Sequence, residues 1–225
     1  MPFTAKSGKF NASINTVEFG TGDKAVKIGG ENVFPLYSFD AAIENAPKVG
    51  IEITDFGMEH EPECIKKYYE GCATLADMAR KAASMEGVDF LSFRMEGGDP
   101  NGANKSTEEL IGELKEIADA VDLPLVVCGC KNVEKDAELF SKAAEALNGK
   151  NAVILSAKEE NYKTVGAAAG LAYKQVVGAE SAVDINLAKQ LNVLISQLGV
   201  DSKSVVMNVG TAAVGYGFEY VISTM

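Results

Sequence analysis

Short apolar runs recur along the chain, and each is followed by a polar or glycine-containing turn and then by a stretch with helical periodicity. Strand, turn and helix repeated at this spacing are typical of a parallel α/β fold. Functional residues in such folds collect at the carboxyl ends of the strands. The six runs are Val49–Ile53, Phe90–Phe93, Leu125–Cys128, Val153–Leu155, Val176–Val177 and Val205–Met207.

The stretches between these runs carry apolar residues three and four positions apart, which predicts amphipathic helices. Ser106, Asn132 and Asp184 each stand directly before such a stretch and are predicted N-caps. Glu109 lies three residues after Ser106, the spacing of a capping box. The predicted helices cover residues 63–85, 107–120, 133–147, 162–173 and 185–198.

Residues 49–225 are predicted to form one domain of about six βα units, each of ~30 residues. This length fits a TIM (β/α)8-type barrel from which two units are missing. A complete, open doubly wound sheet of six strands is the alternative. The glycine-rich fingerprint of that second fold is absent after the first run, where Thr54-Asp55-Phe56-Gly57 stands, so we favour the barrel.

Residues 1–48 precede the repeat and are predicted to be an N-terminal extension. Thr16–Phe19 and Ala25–Ile28 flank the turn sequence Gly20-Thr21-Gly22-Asp23, which predicts a β-hairpin. Such an extension either plugs the bottom of a barrel or contacts a partner, and the sequence does not separate these two roles.

Composition excludes several classes of function. The net charge of −11 argues against nucleic-acid binding and against a polybasic membrane anchor. The first ten residues lack the apolar stretch of a signal peptide, and no apolar run approaches the ~20 residues of a membrane helix. We therefore expect a cytoplasmic protein.

Few residues suit acid–base or metal chemistry. His60 is the one histidine, and none of the six apolar runs contains a lysine for a Schiff base. The four cysteines lack the Cys-x-x-Cys spacing usual in metal sites and are interpreted as free thiols. No catalytic residue and no metal ligand is predicted. The cysteines are Cys64, Cys72, Cys128 and Cys130.

Asp and Asn side chains dominate the turns after the strands. Their carboxylates and amides offer hydrogen bonds to a heterocyclic ligand but little acid–base power. Each is also an ordinary helix cap at a β-to-α turn, and both interpretations stay open. These residues are Asp55, Asp99, Asn101, Asn161, Asp184, Asn186 and Asn208.

Several local strings, in this order along the chain, carry a family resemblance. The sequence resembles the small (delta) subunit of the corrinoid iron–sulfur protein in the acetyl-CoA decarbonylase/synthase system, from about Gly29 to the last residue. Each string is unspecific alone, whereas the ordered set is specific. The strings are Gly97–Asn104, Pro124–Cys130 with Val133–Asp136, Glu160–Lys163, Asp184–Asn192 and Gly215–Tyr220.

The resemblance implies a TIM barrel similar to pterin-dependent methyltransferases. It also implies a heterodimer whose large subunit holds the iron–sulfur cluster and a corrinoid-binding domain, with the corrinoid between the two subunits. That carrier passes a methyl group from methyltetrahydrofolate, through a separate methyltransferase, to acetyl-CoA synthase, and this chain has no turnover of its own. The residues predicted to bind this cofactor are inferred mostly from their position at the strand ends, and they are Asp99, Asn101, Asn161, Asp184, Asn186 and Asn208.

One departure and two alternatives accompany this hypothesis. The family's chain continues past Tyr220 whereas this sequence ends at Met225, so either the last two strands are missing, as in a fragment, or the barrel is completed otherwise. An open barrel is expected to be poorly soluble, to swap segments or to oligomerise. The first alternative is a pterin-dependent methyltransferase whose Asp99, Asn161 and Asn208 bind the pterin. The second is a purely structural docking subunit.

Overall fold

The computed structural model describes residues 3, 6, 8–33 and 40–225, and the rest of the predicted N-terminal extension lies outside these residues. The strands are β1 (Val17–Phe19), β2 (Val26–Ile28), β3 (Gly50–Thr54), β4 (Phe90–Arg94), β5 (Leu125–Cys128), β6 (Val153–Ala157), β7 (Val176–Glu180) and β8 (Val205–Asn208). The helices are α1 (Glu63–Tyr68), α2 (Leu75–Ala83), α3 (Thr107–Ala120), α4 (Val133–Ala146), α5 (Tyr162–Val165), α6 (Ile185–Gln197) and α7 (Phe218–Thr224).

Strands β3 to β8 form a six-stranded parallel sheet in which spatial order follows chain order. The predicted α/β class is therefore confirmed, and the six strands stand at the six predicted runs. Strands β1 and β2 pair antiparallel, which confirms the predicted hairpin. Within the described residues, no helix is both long and apolar enough to cross a bilayer.

The helices cover one face of the sheet. Alternate strand residues such as Phe93, Val127 and Ile154 are buried in a cluster with helical residues such as Leu114 and Phe140. Successive residues of a strand point to opposite faces of the sheet, so the strand residues that alternate with these buried ones form the second face. No helix of this cluster covers the second face, and we call it the inner face.

The hairpin packs onto the inner face at the amino ends of the strands. Val17, Phe19 and Val26 are buried in a separate cluster with Val153 and other inner-face residues. The Phe19 ring meets the Phe90 ring edge to face, with centroids 5.7 Å apart. Asn151 also donates from Nδ2 to the carbonyl oxygen of Glu18 at 3.0 Å. The hairpin therefore closes this end of the sheet, as a plug would.

The predicted helix over residues 63–85 is wrong, because two helices occupy that segment. Between α1 and α2 the chain turns through Gly71, whose φ is 87° and so lies in the left-handed region that glycine tolerates. Thr74 then starts α2 with a complete capping box, in which its side chain accepts from Asp77 N and the Asp77 side chain accepts from Thr74 N.

The segment after β6 is helical as predicted, but α5 continues into a π-helical stretch, Gly166–Ala172. Its small residues allow close packing, since a Cβ on Gly170 would lie 2.7 Å from Val200 Cγ2 and one on Gly166 would lie 3.0 Å from Leu198 Cδ1. The segment therefore packs closely against the residues that follow α6.

Candidate functional site

The inner face carries a polar cavity of about 400 Å³ at the carboxyl ends of the strands. This is the end where parallel α/β proteins place their ligand sites. The hairpin covers the opposite end of the same face. The polar side chains that line the cavity are Arg94, Lys131, Asp136, Ser156, Lys158, Glu180, Asn208 and Thr211, together with the thiol of Cys128.

Strand register places four of the lining side chains at the same height on the sheet, where their strands end. Arg94 is directly opposite Cys128 between β4 and β5, and Glu180 is opposite Asn208 between β7 and β8. These four residues end their strands on the inner face. Between them, β6 carries a bulge between Ile154 and Ala157, and its Leu155–Ser156 peptide bond is cis.

A bidentate ion pair orients Arg94. Its Nε donates to Glu52 Oε1 at 2.9 Å and its Nη2 donates to Glu52 Oε2 at 2.8 Å. These hydrogen bonds raise the pKa of Arg94, although burial opposes them. Glu52 lies on the neighbouring strand β3, so the pair fixes the plane of the guanidinium against the wall of the cavity.

Cys128 and Cys130 lie on different sides of the sheet, because β5 ends at Cys128 and the chain then turns. Burial raises the pKa of the Cys128 thiol, and the Ser92 hydroxyl, 3.4 Å from its sulfur, partly offsets this. Burial raises the pKa of Cys130 to about 11. All four cysteines are free, and no group of three or more His, Cys, Asp or Glu among the described residues could hold a metal ion.

Asp136 shapes the turn that borders the cavity. Its carboxylate accepts from the backbone N–H groups of Cys130 and Lys131 at 2.7 and 3.1 Å. Burial raises the pKa of Asp136, and the two backbone donors oppose that rise. Gly129 is required beside it, because a Cβ there would overlap the Asp136 carboxylate.

The remaining polar side chains of the cavity use only part of their capacity for hydrogen bonds and ion pairs. Asn208 Nδ2 donates to Ser156 Oγ at 3.1 Å, and Asn208 Oδ1 accepts from Gly210 N at 3.2 Å. Lys158 Nζ lies 3.6 Å from Glu180 Oε1, which is an ion pair longer than a hydrogen bond. The site therefore combines cationic and neutral donors with few acid–base groups.

Of the six residues predicted from sequence to bind a cofactor, only Asn208 lines this cavity. Asp99 accepts from the backbone and side-chain nitrogens of Asn101 within one turn. Asp184 caps α6 by accepting from Asn186 N and Leu187 N. Asn186 is exposed at the start of α6.

Asn161 is buried, and both ends of its amide bond backbone groups. Its Oδ1 accepts from Lys158 N at 2.8 Å and its Nδ2 donates to Val133 O at 3.3 Å. The helix-cap interpretation thus has a direct structural basis at Asp184, whereas ligand binding by the six residues stays a prediction.

Sequence reasoning overlooked the charged residues of the inner face. Glu52 and Arg94 lie within strands, and Lys158 and Glu180 lie at or just after strand ends that were predicted too short. The available signal was period-two alternation, in which Glu52, Ser92 and Arg94 interrupt apolar runs at every second position.

Comparison with known proteins identifies relatives over nearly the whole chain. Residues 16–225 match the family described as CO dehydrogenase/acetyl-CoA synthase delta subunit. The acetyl-CoA decarbonylase/synthase complex subunit delta of Methanothermobacter thermautotrophicus is 31% identical over 219 residues, covering 96% of this chain and 56% of the relative.

Two further relatives carry the same name. The protein of Methanocaldococcus jannaschii is 32% identical over 225 residues, covering 96% of this chain and 55% of the relative. That of Archaeoglobus fulgidus is 31% identical over 211 residues, covering 92% and 46%. The chain thus spans about half the length of the curated relatives it matches. The resemblance to the delta subunit of the acetyl-CoA decarbonylase/synthase system is confirmed.

Proposed function

The chain belongs to the CO dehydrogenase/acetyl-CoA synthase delta subunit family, and from this premise we propose that it is one subunit of a cytoplasmic corrinoid methyl-carrier protein. The carrier takes a methyl group from methyltetrahydrofolate, through a methyltransferase, to acetyl-CoA synthase. Its partner is a large subunit that holds the iron–sulfur cluster. The names of the relatives support membership of a multi-subunit complex, since each is a subunit of the acetyl-CoA decarbonylase/synthase complex.

The proposal includes a TIM-type barrel, of which β3 to β8 are six consecutive strands. Two observations support it. The strand order never reverses, whereas a doubly wound sheet has a switch point. Helices cover one face while the hairpin and the polar cavity occupy the other, as the outside and inside of a barrel would.

The cavity fits the rim of a corrinoid better than a whole corrinoid. Its volume of about 400 Å³ suits a drug-sized group, and a corrinoid is much larger. The cofactor would therefore lie across the mouth, where a partner subunit could cover its other side. Asn208, Ser156 and Thr211 offer donors and acceptors for the amide side chains of a corrin ring. This match of donor chemistry and position is the observation that carries the proposal.

In this role the chain binds, orients and shields the corrinoid. The methyl-transfer chemistry is supplied by the cobalt of the corrinoid when it is bound. Arg94, held by Glu52, and Asn208, held by Ser156, keep fixed orientations at the mouth. The wall of the cavity excludes water from the face that it covers.

Co-expression with the large subunit tests the proposal. Corrinoid absorbance should co-purify with the pair and should fall when this chain is omitted. Asn208→Ala should lower the corrinoid content of the pair, whereas Asn148→Ala, an exposed residue just after α4, should not. Equal corrinoid content with and without this chain would contradict a shared cofactor. A pair that forms without corrinoid would instead favour the docking role.

The size of the cavity also favours a second candidate, a pterin-dependent methyltransferase. A bicyclic heterocycle fits within about 400 Å³, and Asn208 could bond it. Titration of the isolated chain with methyltetrahydrofolate tests this candidate. Saturable binding that Asn208→Ala weakens would support the methyltransferase candidate. No binding at millimolar methyltetrahydrofolate would exclude it.

A further inference from the structure

We propose that the cavity contains an anion subsite in which Arg94, Lys131 and Lys158 bind an oxyanion group, a phosphate or a carboxylate, of the ligand that enters it. The inference goes beyond the proposed function, because it concerns this chain alone and requires neither the large subunit nor a corrinoid.

The first support is an uneven distribution of charge. The chain carries a net charge of −11, yet three cationic side chains converge on this one cavity. Two carboxylates also line it. Asp136 is 5% exposed and its carboxylate accepts from two backbone N–H groups, while that of Glu180 lies 3.6 Å from Lys158 Nζ. Glu52 pairs with Arg94 from β3, so Lys131 is the cation of the cavity that has no carboxylate partner among the described residues.

The second support is the geometry of Arg94. A guanidinium has five N–H donors, and Glu52 takes one from Nε and one from Nη2. The Nη1 donors have no partner among the described residues. Because Glu52 holds the plane of the group, the free donors form a preorganised fork, which is the geometry that matches phosphate and carboxylate.

The two lysines supply further donors. Lys158 Nζ is 3.6 Å from Glu180 Oε1, so that pair leaves its three N–H groups without a close hydrogen bond. Lys131 makes no ion pair within the part of the chain that the structure describes, and its φ is 73°. A left-handed conformation is costly for lysine and cheap for glycine, and such strain is concentrated at functional sites. The backbone at position 131 would therefore accept glycine, so the ammonium can be removed there without adding strain.

A titration of the 225-residue chain tests the subsite. Phosphate and acetate are added separately, with chloride keeping ionic strength constant, and backbone amide shifts are followed by NMR. We expect saturable shifts at Gly129 and Gly210, which border the cavity. Lys158→Gln and Lys131→Gln should each raise the dissociation constant about tenfold, the effect of losing one charged hydrogen bond. Lys142→Gln, an exposed lysine paired with Glu145 on α4, is the control and should leave it unchanged.

The comparison of the two anions identifies the source of the oxyanion. Tighter binding of phosphate indicates a phosphate-bearing ligand, and tighter binding of acetate indicates a carboxylate. The proposal is overturned if neither anion gives saturable shifts, or if the Lys142 control loses as much affinity as the cavity variants. Arg94→Lys, which keeps the charge but not the fork, should weaken phosphate binding without abolishing it. None of these outcomes changes the expected corrinoid spectrum of the two-subunit protein, so the two proposals fail separately.

Discussion

Lys105 Nζ lies 3.0 Å from Oδ2 of Asp55, whose side chain is fully buried. The same ammonium donates to the Asp55 carbonyl oxygen at 2.9 Å and to Glu113 Oε1 at 3.3 Å, and Gly97 N donates to Asp55 Oδ1 at 2.9 Å. Asp55 follows β3 directly, where a ligand-binding residue could have stood. Instead it joins the loops that follow β3 and β4.

Lys105→Met should therefore destabilise the fold strongly. It leaves a buried carboxylate without its cation, which costs about 3–5 kcal/mol in free energy of unfolding. Urea denaturation followed by circular dichroism measures the loss. Lys142→Met removes an exposed pair and should change stability little. Similar losses in both variants would mean that the Asp55 contact is not what stabilises these loops.

The hairpin should behave as part of the core. Phe19 is 3% exposed and packs on Phe90, so Phe19→Ala should lower the free energy of unfolding by about 3–5 kcal/mol. Tyr216→Ala removes an aromatic ring that is 87% exposed and should cost well under about 1 kcal/mol. Thermal denaturation of both variants checks the difference. A small loss at Phe19 would show that the hairpin is a peripheral attachment.

Local sequence signals predicted the elements well, because they depend on residues close in the chain. The bounds of α3 and the cap of α6 at Asp184 follow from apolar spacing and side-chain chemistry alone. The break between α1 and α2 was missed because the helical pattern of apolar residues resumes after Gly71, and a single glycine inside such a pattern does not always end a helix.

The candidate site was harder to predict, because it depends on long-range pairing. Only strand register places Arg94 beside Cys128 and Glu180 beside Asn208. An Asp or Asn at the end of a strand, or in the turn after it, has the same local signature whether it caps a helix, as Asp184 does, or lines a cavity, as Asn208 does.

Stability should fall at alkaline pH partly through Cys130. Its folded pKa is about 11 against an ordinary value of 9.0, because burial disfavours the thiolate. As the pH rises above 9 the unfolded chain loses this proton first, so the stabilisation present below pH 9 is lost progressively up to about pH 11.

Urea midpoints measured from pH 8 to 11 should decline less steeply in Cys130→Ala than in the parent. Cys64→Ala, which removes an exposed thiol, should keep the parent slope. Parallel slopes in all three proteins would contradict this assignment.

Position 131 offers a test that separates stability from binding. In Lys131→Gly, relief of a left-handed lysine gains about 1–2 kcal/mol, while the extra freedom of glycine in the unfolded chain costs about 0.5–1 kcal/mol. The free energy of unfolding should therefore stay level or rise by about 1 kcal/mol. Phosphate affinity should nevertheless fall about tenfold, because the cavity loses an ammonium group.

Lys174→Gly is the matched control for this prediction. Lys174 is exposed, has a φ of 54° and precedes β7 at the amino ends of the strands, away from the cavity. The substitution Lys174→Gly makes the same change in charge and in backbone strain, so the free energy of unfolding should change as it does in Lys131→Gly. Its phosphate affinity should match the parent. If both glycine variants lose affinity equally, general attraction between the anion and the chain explains the binding, and Lys131 has no specific role in it.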